Sequence, residues 1–280
     1  MKRIHIDEIT LAVKNACIDI NYQIDDRIME AFKEGLVNER SPIGIGIMND
    51  LIQNADLAKH KIAPICQDTG MIVAFVTIGQ SVLIEGGSCS EAIQAGIRAG
   101  YKEGFLRKSV VTDPLIRINS GDNTPGIVYY DLVEGDAFEI ELAAKGFGSE
   151  NMSKSFMLKP SDGIEGVVDC VLETVRSAGS NPCPPIIVGV GIGGTLDKAA
   201  QIAKRALLRP LGDSNALTHI SALEKRLLRE INALGIGPQG LGGDTTALAV
   251  HVEVFPTHIA GLPVVVNINC HASRHHKITL

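Results

Sequence analysis

From Met71 to Ile78 every residue but Thr77 is apolar, and the run is entered through Pro64-Ile65-Cys66-Gln67-Asp68-Thr69-Gly70. Eight such residues read as a strand buried in a core, so the chain must build a sheet around them. The heptad sets a thiol, an amide, a carboxylate and a hydroxyl side by side at the mouth of that strand. A loop feeding a buried strand holds its side chains still, as a site requires. Alone, Cys66 reads equally well as a small core hydrophobe.

With 280 residues, 45% of them apolar and 21% charged, the chain can bury a sizeable core without disulfides or metal staples. Its formal charge of -6 gives no basic footprint for nucleic acid, and few aromatics with no Trp leave no stacking platform, so a small-molecule ligand is expected. Met1 to Glu8 turns polar too early for a signal peptide, and no later run approaches a membrane-spanning length. A cytoplasmic protein with no membrane contact is expected. In that reducing compartment six cysteines point to packing, metal binding or catalysis, not to a disulfide framework.

Residues 7 to 60 carry helical periodicity: Ile9, Val13, Cys17 and Ile20 share a face, as do Ile28, Phe32 and Leu36, and Ser41-Pro42 starts a third helix. Strands are expected at 71 to 78 and 82 to 85, then a helix near 90 to 106 with Ser88 and Glu91 at capping-box spacing. Residues 106 to 125 form a polar, turn-rich loop, and 126 to 144 alternate as a hairpin turning at Gly135-Asp136. A second glycine-rich loop, Lys145 to Asn151, follows. Beyond it come a helix at 163 to 177, a strand at 186 to 190, helices at 196 to 208 and 215 to 234, a third glycine-rich loop at 235 to 243, and strands at 245 to 254 and 262 to 266. No repeat or linker interrupts the chain, so one α+β unit over residues 1-280, with two sub-layers, is expected.

The six cysteines divide evenly. Cys17, Cys89 and Cys170 sit on helices or at a helix start, where packing accounts for them, although a helix N-terminus could also stabilise a Cys89 thiolate. Cys66, Cys183 and Cys270 lie instead in Pro-, Asn- or Gly-rich turns at the edges of apolar strands. Their separations rule out local zinc-finger spacing, and only the fold can bring them together. Three thiolates with a vacancy suit an iron-sulfur cluster that leaves one iron open to substrate. Three unrelated buried cysteines, or a structural zinc completed by His271 or His258, remain as alternatives.

A competing signal is Gly189-Val190-Gly191-Ile192-Gly193-Gly194, which has dinucleotide-loop spacing between a strand and a helix. Asp213 lies at the distance of the acidic partner such a site wants, but Arg209-Pro210-Leu211-Gly212 before it is no strand. The better reading is a helix N-terminus whose free N–H groups face an anion, such as a carboxylate.

Taken together, the heptad, Asp122-Asn123-Thr124-Pro125, Gly146 to Asn151, Asn181-Pro182-Cys183-Pro184-Pro185, Gly237-Pro238-Gln239-Gly240 with Gly242-Gly243, and Asn269-Cys270-His271-Ala272 resemble the alpha subunit of the two-subunit class I fumarate hydratases and L-tartrate dehydratases. These are iron-sulfur hydro-lyases, and the resemblance spans nearly the whole chain. It implies a 4Fe-4S cluster on Cys66, Cys183 and Cys270, whose fourth iron binds substrate. It further implies substrate contacts at Gln67, Asp68, Arg107 and His258 and at a glycine of the Lys145 to Gly148 loop, taken here as Gly148. Asp68 and His258 are the candidates for proton exchange. It also implies a beta subunit that supplies the C–H base and further cationic contacts, leaving this chain most of the cluster site but not all of the machinery.

The expectation is therefore an α+β chain, with a helical N-terminal region followed by mixed strands and helices around a cysteine-lined cluster site. It would hydrate fumarate to L-malate, with L-tartrate as the alternative dicarboxylate substrate. From other classes, a nucleotide-dependent oxidoreductase or a zinc-stabilised interaction protein would answer to the glycine motif or the cysteines.

Overall fold

Residues 1–60 and 63–280 are described by the computed structural model. In chain order the elements are β1 (Lys2–His5), α1 (Ile6–Tyr22), α2 (Asp26–Asn38), α3 (Pro42–Lys59), β2 (Met71–Gly79), β3 (Val82–Glu85), α4 (Cys89–Glu103), β4 (Ile127–Val133), β5 (Phe138–Lys145), α5 (Phe147–Glu150), β6 (Lys154–Leu158), α6 (Gly163–Ala178), β7 (Ile186–Gly193), α7 (Leu196–Ala206), α8 (Thr218–Asn232), β8 (Ala247–Phe255), β9 (Leu262–Asn269) and β10 (His275–Thr279). The class is α+β, as expected. The chain divides into two compact units, one of Met1–Asp25, Ala55–Phe147 and Arg274–Leu280, the other of Asp26–Asn54 and Gly148–Ser273.

In the first unit the sheet order is β10-β5-β2-β4. The apolar run sits near its centre, with Ile72 to Val76 all buried, because a strand covered on both faces has no use for polar positions. Ile9, Val13, Cys17 and Ile20 of α1 meet Ile93, Ile97 and Tyr101 of α4 and Ile72, Ala74 and Val76 of β2 in one core. Each fully buried aliphatic side chain there stabilises by about 1.5–3 kcal/mol, well above any difference in helix propensity. Burial therefore decides the facing of α1. Ser88 caps α4 as its spacing predicts, its Oγ accepting the Glu91 N–H at 3.4 Å.

The expected hairpin over 126 to 144 does not form. Both strands exist, but β2 lies between them, parallel to β4 and antiparallel to β5. The turn after β2 is bonded into the connection: Gly79 N–H donates to Ala137 O (2.7 Å), Gln80 N–H to Val133 O (2.9 Å) and Ser81 N–H to Gly135 O (2.8 Å). The more apolar β2 takes the central place, and the half-exposed β4 takes the edge.

In the second unit the sheet order is β6-β9-β7-β8. α6 and α8 contribute Val167, Val171, Val175, Leu223, Leu227 and Ile231 to the core against it. α7 packs with Ala199 and Ala203 against Val265. The glycine motif is explained by that packing. A Cβ on Gly189 would stand 2.2 Å from Ala203 O, and one on Gly191 2.0 Å from Ala199 O, so the two glycines let α7 lie against β7. Asp213 follows no strand and pairs with Arg27 at 2.6 Å. The anion at the start of α7 is the chain's own Asp197, whose carboxylate accepts the Thr195 hydroxyl and is held below the usual carboxylate range by it. This geometry gives a dinucleotide no support.

Glu39 is a buried carboxylate of the second unit, 4% exposed. Its oxygens accept the N–H groups of Ser41 (3.0 Å), Asp244 (3.0 and 2.9 Å) and Thr245 (2.9 Å). Burial pushes its pKa up, but these donors outweigh burial and hold it below the ordinary value. A depressed carboxylate contributes stability that is present above its unfolded pKa and is lost as pH falls through the folded value. Glu39→Gln is expected to destabilise by about 1.5–3 kcal/mol at pH 7, because an amide NH2 then faces backbone donors. Denaturant titrations should show the gap between variant and wild type closing as the pH is lowered below 4.5, the ordinary Glu value.

Candidate active site

The heptad is held from behind by backbone-directed hydrogen bonds, all within the first unit. Ile65 N–H donates to Asn21 O at 2.9 Å. The Tyr101 hydroxyl, buried under α4, reaches the carbonyls of Thr69 (2.6 Å) and Gly70 (2.9 Å). Asn123 Nδ2 donates to Gly70 O at 3.1 Å while its Oδ1 accepts the N–H groups of Ser109 (2.7 Å) and Val110 (3.2 Å). The Thr69 hydroxyl donates to Arg107 O at 3.1 Å. These bonds bring the base of the Arg107 loop to the heptad, and Arg107 itself is exposed. Gly70 adopts a φ of 77° against the β5 backbone, where a Cβ would meet Ala144 and Lys145 at 2.9 Å.

With its backbone fixed, the loop presents its reactive groups. Cys66 is half-buried and its Sγ lies 3.4 Å from Gln67 Oε1; Gln67 is exposed. Asp68 is half-buried, with Oδ1 accepting Gly70 N–H at 3.0 Å and Oδ2 accepting Phe147 N–H at 2.8 Å. Each carboxylate oxygen still has a lone pair to offer. Gly146 stands beside it: a Cβ there would come within 3.3 Å of Asp68 Oδ2 and 3.5 Å of Arg274 Nη2. Gly148 belongs to the second unit, where its nearest neighbour is Asn181 O. Within the first unit Gly146 is a glycine beside Asp68, and only the turn of the backbone after β5 reveals it.

In the second unit Cys183 and Cys270 stand at one end of the sheet. Cys183 precedes β7, exposed, with a φ of 54° and its N–H donating to Ser180 O at 3.0 Å. Cys270 follows β9, whose last residue Asn269 pairs with Ile187 of β7. His271 ties the two turns together, approaching Cys183 O with its backbone N at 3.4 Å and its ring Nδ1 at 3.0 Å. Gln239, from the third glycine-rich loop, donates to Pro184 O through both its backbone N and Nε2 at 2.8 Å. Gln239 had a motif position in the sequence but no stated role and His271 only that of an alternative zinc ligand; here both hold the turn that carries Cys183.

His258 is not brought to that end. β8 runs parallel to β7, so His258 lies past the opposite end of the sheet from Cys183 and Cys270. Eight strand residues at about 3.3 Å each separate the two ends by roughly 25 Å. There His258 is exposed, and its Nδ1 accepts Ala260 N–H at 3.2 Å.

None of the six cysteines is in a disulfide. Burial raises the thiol pKa of Cys17, of Cys89 and, to about 11, of Cys170, which keeps all three protonated in their packing roles. Among the described residues no three His, Cys, Asp or Glu side chains already converge at single-ion distance.

Comparison with known proteins bears on the whole of this arrangement. The chain is 43% identical over 275 residues to the "Putative L(+)-tartrate dehydratase subunit alpha" of Methanocaldococcus jannaschii, spanning 96% of this chain and 94% of that one. It is 33% identical over 273 residues to the L(+)-tartrate dehydratase subunit alpha of Escherichia coli strain K12 and to that of Shigella sonnei, spanning 96% of this chain and 89% of each. The match to the family described as Fumarate hydratase (Fumerase) runs over residues 10–279. On that extent the chain belongs to the fumarate hydratase (fumerase) family.

Proposed function

We propose that this chain is the alpha subunit of an iron-sulfur hydro-lyase that interconverts fumarate and L-malate, acting with a beta subunit. The family match over residues 10–279 carries the reading. The relatives' designation as alpha subunits supports the need for a second chain.

Cys66, Cys183 and Cys270 are the proposed ligands of a 4Fe-4S cluster. The donor set fits: thiolates are the ligands such clusters take, and all three cysteines sit in turns at strand ends instead of in the helical settings of Cys17, Cys89 and Cys170. Held by these three thiolates, such a cluster would supply Lewis-acid chemistry toward a substrate oxygen. The remaining work falls to side chains. Arg107 is assigned to clamp one substrate carboxylate with two parallel N–H bonds, and Gln67 to steady the substrate by hydrogen bonding. Asp68, anchored by two backbone N–H groups, takes up the proton lost when water adds. Gly146, with no side chain beside Asp68, leaves room for the substrate to approach. His258 has no part in this proposal, and the partner subunit is assigned the C–H proton.

No helix of the described residues is long and apolar enough to cross a membrane. A cytoplasmic location is proposed, because a reducing compartment keeps the three thiols available. A second reading is favoured by one observation, the names of the relatives: L-tartrate, another four-carbon hydroxydicarboxylate, as the substrate. Anaerobic reconstitution with the beta subunit, assayed on malate, fumarate and L-tartrate, tests both. Turnover is expected to rise with the amount of complex formed and to be absent from the alpha chain alone. Full turnover by the alpha chain alone would refute the division of labour, and L-tartrate turnover without malate turnover would select the second reading.

A further inference from the structure

Arg274 is 2% exposed and among the most deeply buried large side chains, yet the proposed chemistry leaves it without a part. Its Nη1 donates to Asp68 O at 2.7 Å and to Asn21 Oδ1 at 2.9 Å, while its Nε makes no hydrogen bond. Both acceptors are neutral. Taking a guanidinium out of water costs several kcal/mol, and an apolar side chain of similar volume is often as stabilising or more so. For stability alone this is a poor choice of residue.

Position offers a better account. Asn21 is fully buried at the end of α1, where its Nδ2 donates to Cys17 O at 2.9 Å and its backbone carbonyl accepts the Ile65 N–H at 2.9 Å. Asn21 therefore grips Ile65, Arg274 grips Asp68, and the two grip each other. Ile65 and Asp68 are the residues on either side of Cys66-Gln67. The side chains of Cys66 and Gln67 are half-buried and exposed, so packing cannot fix them, and their backbone has to be held from behind.

We propose that Asn21 and Arg274 form a buried clamp that sets the position of the Cys66-Gln67-Asp68 segment, and that both are positioning residues for the hydro-lyase reaction. The kinetic part of this proposal rests on the function proposed above; the structural part does not. A displacement of about 1 Å in a reacting group can cost 10²-fold in rate, which sets the scale expected when the clamp is opened.

Arg274→Met and Asn21→Ala are the opening variants; Asn21→Ala removes the side-chain bonds to Arg274 and Cys17 and leaves the backbone bond to Ile65 without that support. Arg274→Lys keeps the charge but can reach fewer acceptors at once, so it should fall between Met and wild type. Val175→Ala, a core change in α6 far from the heptad in sequence, controls for plain loss of stability. The first measurement is amide hydrogen exchange of residues 65–70 in the cofactor-free chain. Exchange there should quicken in Arg274→Met and Asn21→Ala, less in Arg274→Lys, and not in Val175→Ala. The second is steady-state kinetics of the reconstituted complex with its beta subunit. Arg274→Met should lower kcat by about 10²-fold with KM little changed. Unchanged exchange at 65–70 in both opening variants would overturn the clamp. So would a kcat loss in Val175→Ala equal to that of Arg274→Met at matched loss of Tm. Should Arg274→Met not fold, Arg274→Lys and Asn21→Ala carry the same comparison. A wild-type complex without hydro-lyase turnover would sink the functional reading and leave exchange to decide the clamp.

Discussion

Serine at position 66, 183 or 270, one substitution at a time, is expected to strip the anaerobically reconstituted chain of most of its iron and acid-labile sulfide and to abolish turnover with the beta subunit. Serine at 17, 89 or 170 should leave iron and sulfide near the wild-type content. The contrast comes from local structure. Cys17 is completely buried between α1 and α4, Cys170 is buried in α6, and burial raises the thiol pKa of both, which disfavours the thiolate that a metal requires. Cys183 and Cys270 stand on two turns joined by His271, and Cys66 stands on a loop fixed from behind. A hydroxyl in place of one thiolate exchanges a soft anionic donor for a hard neutral one. Serine at 17 or 170 costs packing instead, so the comparison must be made on folded protein, by colorimetric iron and sulfide against protein concentration. Equal content in all six variants would remove the cluster assignment entirely.

Asp68→Asn is expected to retain the cluster and lose about 10²- to 10⁴-fold in turnover, the usual contribution of a general acid-base group. The substitution is not silent in structure. Both carboxylate oxygens accept backbone N–H groups, from Gly70 and Phe147, and an asparagine can turn its oxygen toward only one of them. The other N–H then faces an NH2 group, a further cost of about 1–3 kcal/mol if it stays dry. Iron content and hydrogen exchange across residues 65–70 separate the two effects. Wild-type turnover in a variant that keeps its iron would make Asp68 an anchor of the loop and nothing more.

What could be read from the sequence and what could not differ by range. The face of α1, the cap of α4 and the apolar β2 are properties of neighbouring residues, and each is found where periodicity or spacing puts it. The partners of β4 and β5 are not local. Alternation shows two strands and a turn, but it cannot show that β2, some fifty residues earlier, enters between them. The short strands β1, β6 and β10 have too few apolar positions to announce themselves. The candidate site follows the same division. Cys66, Gln67 and Asp68 are adjacent and legible together, whereas the residues behind them, Asn21, Tyr101, Asn123 and Arg274, come from four separate segments. Asn21 and Arg274 are 253 positions apart, and no local pattern links them. His258 differs again: its place past the far end of the parallel pair β7 and β8 from Cys183 and Cys270 follows from strand direction, which no local pattern in the sequence records.

The first unit is discontinuous, and its last segment is Arg274–Leu280. β10, in that segment, forms the edge of its sheet on β5, and Arg274 opens it. During synthesis the Cys66 loop therefore emerges from the ribosome long before the strand and the guanidinium that complete its surroundings. More than two hundred residues must be made in between. Contacts of such long range are slow to form, because the chain has to be ordered over its length before they stabilise anything. The loop that carries Cys66 is thus finished only when residues 274–280 have docked. On the proposed cluster assignment, metal delivery therefore follows the docking of that segment and does not accompany the emergence of the loop.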